Sequence, residues 1–187
     1  MILGDYMDIM DNIKASLENN KNISKEVGDG IFELVIIFHN NFPNIKLENL
    51  NKRLKTLKIE KTSKFEKSHI SNYSFKKNIL YFNSDEISKQ YDAKHVMMFE
   101  ILNIITATDN QTGFNTDNRL LALNVGLTEI IANYLVGNNG DLLLYPDEAT
   151  MTNLITTIIG FENMLYAYFN NDSKFLLNKI MEAGVKF

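Results

Sequence analysis

The run His95-Val96-Met97-Met98-Phe99-Glu100-Ile101-Leu102-Asn103-Ile104-Ile105 decides how the rest of the chain is read. His95, Met98, Phe99, Leu102 and Ile105 fall on one side of a helix, and Val96, Met97, Ile101 and Ile104 widen the apolar stripe until most of the surface is hydrophobic. A helix of that kind is buried and central. Glu100 is its one acidic residue, and a carboxylate in apolar surroundings must find donors or hold its proton. On burial alone it reads as an ordinary buried polar contact. His95 lies one turn before Phe99 on the same face and is the nearest imidazole. A structural histidine is the plainer reading for it.

Downstream, Thr108 to Arg119 is polar and contains Gly113, which reads as a loop. A helical pattern resumes from Leu120 to Val136 and closes at Gly137. The central pair is thus two apolar helices joined by a polar excursion, the second carrying Leu123-Asn124-Val125-Gly126-Leu127-Thr128-Glu129.

In these two segments the chain resembles the zincin superfamily of zinc peptidases, in its gluzincin form. The first segment is similar to the helix bearing H-E-x-x-H, with Phe99 and Asn103 where the histidines stand and only Glu100 retained. That motif works because residues four apart project from one helix face, so two imidazoles grip zinc while the neighbouring carboxylate activates water. The second segment is similar to N-E-G-x-T-E, whose first glutamate is the third ligand; that place holds Val125, 22 positions after Asn103. Glu129 falls where the resemblance implies a carboxylate orienting a histidine, and with both histidines replaced it is expected to have nothing of that kind to orient. An alternative alignment matches Glu129-Ile130-Ile131-Ala132-Asn133 to E-x-x-A-N of immunity-repressor peptidases and makes Glu129 itself a ligand. Tyr145-Pro146-Asp147-Glu148 and Ala167-Tyr168-Phe169-Asn170-Asn171-Asp172 resemble the C-terminal helices of small bacterial zincin-like proteins.

The resemblance implies a catalytically inactive relative, with relic positions Phe99, Glu100, Asn103, Val125 and Glu129, no cofactor, and a residual cleft used to hold a protein or peptide. An exposed strand edge would suit an extended partner or self-association into a homo-oligomer. Two other readings stay open. One is an enzyme with a rearranged metal or acid/base site on His95, Glu100 and Glu129; the other is a structural or assembly protein whose likeness is accidental.

Upstream, Tyr6 to Leu17 and a segment running from a Ser24 cap through Phe38 carry helical spacing, with Gly28 and Gly30 weakening the second and Pro43 following its end. Leu57-Lys58-Ile59-Glu60 and Asn78-Ile79-Leu80-Tyr81-Phe82-Asn83 alternate, predicting two or three strands. The Lys-rich stretch Asn51 to Lys77 reads as a solvated strand face. At the C-terminus Pro146, Asp147 and Glu148 suit a first helical turn, helices are expected over Thr150 to Ile159 and Glu162 to Phe169, and Asn171-Asp172-Ser173 caps a last one.

The expected class is therefore α+β, one helix-rich domain with a small, mainly antiparallel sheet: N-terminal helices over 1–45, the sheet over 46–90 and a zincin-like helical core over 91–187. The sheet is expected to pack on the helices carrying Glu100 and Glu129. Composition agrees, with 45% hydrophobic and 22% charged residues in 187, far from the signature of disorder. A net charge of −4 offers no general attraction to nucleic acid or anionic lipid. The absence of cysteine removes disulfides and thiolate chemistry. Asp5, Asp8 and Asp11 stand where a signal peptide would be basic, and no apolar run is long enough to span a bilayer, so a cytoplasmic location is expected.

Several features suggest no chemistry. His39 ends a helix, where a cation would favour the terminal carbonyls, and His69 lies in the polar strand region. Asp109, Asp117 and Asp141 fit turns better than a calcium loop. There is no phosphate-binding glycine loop and no nucleophile elbow. The methionines and phenylalanines read as core, with a groove lined by Met97, Met98 or Met151 as the alternative.

Overall fold

The computed structural model describes residues 3–62, 70–83, 91–116, 118–137 and 143–184, with residues 3–8 described as backbone alone. His69, Asp117, Asp141 and the side chains of Asp5 and Asp8 lie outside the described residues. In chain order the elements are α1 (Leu3–Glu18), α2 (Lys25–Asn41), α3 (Glu48–Leu54), β1 (Lys58–Lys61), β2 (Ser71–Ser74), β3 (Ile79–Phe82), α4 (Ala93–Thr106), α5 (Leu121–Val136), α6 (Pro146–Ile159), α7 (Phe161–Phe169) and α8 (Ser173–Gly184). The protein is a helix-rich α+β fold with a small sheet.

Local sequence sets the helix ends. Ser24 accepts from the Val27 N–H and caps α2, and Asp92 accepts from the Lys94 N–H and caps α4. Pro146 occupies the first turn of α6, where its missing N–H costs nothing. Gly160 separates α6 from α7 with φ 91°, a conformation that disfavours any side chain. The stretch Asn51–Lys77 is not one strand face: it opens inside α3, whose Leu50 and Leu54 are buried. Helical spacing of those two leucines outweighs the lysines around them.

The sheet is mixed, with strand order β1-β3-β2. Strands β2 and β3 form an antiparallel hairpin, Tyr73 facing Leu80, while β1 runs parallel to β3 with Ile59 facing Leu80. The expected antiparallel character therefore holds for one of the two pairings. Asn78 turns the hairpin at φ 53°, and its side chain donates to Arg53 O (2.8 Å) and Thr56 Oγ1 (3.0 Å) while accepting from Tyr73 Oη (2.7 Å). The hairpin is thereby fastened to α3.

One continuous apolar cluster joins the parts: Ile13 of α1, Phe38 of α2, Leu50 of α3, Leu80 of β3, Ile101 of α4, Ile131 of α5 and Leu176 of α8 are all buried in it. Helix α4 lies at the centre, meeting α2, α3, α5, α7 and strand β2. The sheet reaches the central pair through β2 against α4. Gly126 lets α5 approach α6 closely, because a Cβ there would meet Glu148 O and Thr152 Oγ1. Among the described residues no helix is long and apolar enough to cross a membrane.

Candidate functional site

Helix α4 presents polar groups on two sides. His95 and Glu100 are five positions apart, about 140° around the helix axis, so they face different neighbours.

His95 faces α5. Its Nε2 lies 2.8 Å from Glu129 Oε1, and the two side chains are 2% and 0% exposed. The Leu144 N–H donates to the same oxygen at 3.0 Å. Glu129 therefore does hold a histidine: not at the position the resemblance points to, but one helical turn earlier. The expectation that it has none to orient is corrected, and the reason is helix geometry, since residues 95 and 99 share a face. Phe99 occupies the next turn and stacks on Tyr145, with ring centroids 5.3 Å apart and an interplanar angle of 29°. Residues Leu144 and Tyr145, just before α6, thus cover both Glu129 and Phe99. Among the described residues His95 Nδ1 and Glu129 Oε2 are buried without a hydrogen-bond partner.

Glu100 faces the sheet. It is 1% exposed and accepts from the Ser71 hydroxyl, the Tyr73 backbone N–H and Asn103 Nδ2, the last at 3.1 Å. The hairpin register explains why Tyr73 can donate: Asn83 N–H donates to Ile70 O, so alternation turns the N–H of Ser71 and Tyr73 away from β3, toward the outer edge of β2. Burial pushes the Glu100 carboxyl up to about 7, against the opposing effect of Ser71, Asn103 and Tyr73.

The candidate trio therefore divides. His95 and Glu129 engage each other while Glu100 braces β2, and among the described residues no group of three or more His, Asp or Glu side chains is placed to hold a metal. Asn103 and Val125 are half-buried, Asn103 on Glu100 and Val125 against the core.

Neighbouring polar residues serve the frame. Thr128 shares a 2.8 Å hydrogen bond with Tyr168, and Asn124 Oδ1 accepts from the Phe114 N–H, fixing the 108–116 loop to α5. His39 is buried near the end of α2, and desolvation lowers its basicity. Met98 is core rather than groove lining, Met97 is half-buried, and Met151 is exposed on α6. Ser71, Tyr73 and Leu144 escape sequence reading because each acts through a strand register or a backbone N–H. Tyr145 is visible only as part of a weak C-terminal likeness.

No family model, curated protein or solved structure matches the chain.

Proposed function

We propose that this protein is a catalytically inactive relative of the zincin peptidases that works by holding a protein or peptide partner. The observation that carries the reading is the engagement of Glu100. The carboxylate that would activate water in a zinc peptidase is tied to Ser71, Tyr73 and Asn103, and the positions where the resemblance puts metal ligands hold Phe99, Asn103 and Val125. Phenylalanine and valine offer no lone pair to a metal, and an amide is a poor zinc ligand.

An extended partner is best received at the outer edge of β1. Alternation along β1 turns the backbone groups of Ile59 and Lys61 away from β3, whereas Glu100 takes up an N–H of the other edge. Lys58, Glu60 and Lys61 on that strand would discourage indiscriminate pairing and favour a charged partner.

A second reading, an acid/base or metal centre on His95 and Glu129, is favoured by their 2.8 Å contact and by the buried, unpartnered Nδ1 and Oε2 among the described residues. Metal content of the purified protein by mass spectrometry, followed by calorimetric titration with zinc at neutral pH, separates the two. The inactive reading expects no stoichiometric metal. Tight one-to-one binding that is lost in His95→Ala and Glu129→Ala would establish the second.

A further inference from the structure

A cleft of about 630 Å³ opens on the side of the molecule formed by α3, the β2–β3 turn and the C-terminal end of α4. Its volume falls within the usual range for small-molecule sites, about 300–1,000 Å³. Asn49, Lys52 and Arg53 project from one face of α3, Lys46 precedes that helix, and Lys76 comes from the turn opposite. Four cations thus line the cleft against one carboxylate, Asp109, in a chain whose net charge is −4. None of the four forms an ion pair among the described residues.

Arg53 is held rigidly. Its Nη1 donates to Tyr73 Oη (3.0 Å) and Phe75 O (3.0 Å), and its Nη2 donates to Thr108 O (2.9 Å). All three acceptors are neutral, and the Nε–H is buried with no acceptor among the described residues. Part of this arrangement closes the C-terminal end of α4, a role shared by Asn49, whose Nδ2 donates to Ala107 O at 2.8 Å. Helix capping accounts for the contact with Thr108. It does not account for the three lysines.

We infer that this cleft binds a compact phosphorylated ligand bearing two or more negative charges. The guanidinium supplies a fixed, always-charged donor, and lysines from two walls supply mobile point charges suited to a tetrahedral, many-oxygened anion. A long polyanion is disfavoured, because the acidic remainder of the chain repels it. The turn needs no rearrangement to receive the ligand, since Asn78 already pins it to α3.

Calorimetric titration of the full chain with pyrophosphate in low salt, with citrate as a parallel probe, tests this. The expected result is saturable one-to-one pyrophosphate binding that weakens as sodium chloride is raised. Lys52→Glu combined with Lys76→Glu should reduce the affinity at least about tenfold through like-charge repulsion, with the melting temperature of the unliganded protein retained. Lys14→Glu, on α1, should leave binding unchanged. Should the double variant fail to fold, Lys76→Glu alone carries the test, since that side chain is exposed on the turn. Absence of saturable pyrophosphate binding would overturn the inference. So would indifference to reversal of Lys52 and Lys76, an equal loss in Lys14→Glu, or binding of citrate alone.

Discussion

The buried sides of α4 and α5 hold ionisable side chains, whereas the outer faces of α6 and α8 leave large apolar ones in solvent. Glu129, Glu100 and His95 are 0%, 1% and 2% exposed, while Leu154 on α6 is 66% exposed, and Ile158 on α6 and Met181 on α8 are exposed as well. Both regions invert the usual distribution, in opposite senses. Burial of a charge is tolerable only with partners, and the centre supplies them: an imidazole and a backbone N–H for Glu129, two side-chain donors and a strand N–H for Glu100. Exposure of apolar groups needs no partner and costs the folded chain little. The centre is thus specified by pairwise contacts, and the periphery by its inner faces alone.

The contrast is sharpest if one member of the buried pair is removed. Glu129→Ala should leave His95 and the Leu144 N–H without an acceptor and cost about 3–5 kcal/mol, read by chemical denaturation. His95→Phe with Glu129→Leu should recover most of that loss, because apolar replacement of both partners removes the unmet donors. Equal stability of wild type and Glu129→Ala would mean the pair is incidental.

At the seam between the two regions, Gly126→Ala should destabilise by about 1–3 kcal/mol, since its Cβ would press on Glu148 O and Thr152 Oγ1 of α6. A neutral outcome would show that α6 can shift away from α5 freely.

Glu100 gives the contrast a pH dependence. Its ordinary value near 4.5 rises to about 7 in the folded chain, so the folded state holds the proton more tightly than the unfolded one. Stability from this group is fullest below about 4.5 and is lost as pH rises through about 7, by an amount on the order of 3 kcal/mol. Glu100→Gln should flatten the profile in that window while the far-ultraviolet circular dichroism stays unchanged. A wild-type stability curve already flat between those values would contradict the account of Glu100.

The smallest effect belongs to the periphery: Leu154→Glu should change stability by no more than about 0.5 kcal/mol, and a loss comparable to that of Glu129→Ala would erase the distinction between the regions.

Much of the centre was legible because a buried helix writes itself in uninterrupted apolar spacing, which places α4 and α5 correctly from His95–Ile105 and Leu120–Val136. Glu100 and Glu129 stood out for the same reason, as charges in apolar runs. Their partners did not. Strand β2, Ser-Asn-Tyr-Ser, has a single apolar residue to betray it, and its part in the site depends on which way the Tyr73 N–H turns. The pairing of Glu129 with His95 rather than with position 99 depends on how two helices cross, which spacing within either helix does not encode. The cationic cleft joins residues more than fifty positions apart, Arg53 with Thr108, and one stretch of lysines gave no sign of it.

The proposal at the centre of this account is that the chain is an inactive relative of the zincin peptidases, without their ligands. The most direct test is calorimetric zinc titration of the wild type beside a variant carrying Phe99→His, Asn103→His and Val125→Glu. The account predicts no stoichiometric zinc on the wild type and one-to-one binding on the variant; a stoichiometric wild-type site, or a folded variant that binds none, would contradict it.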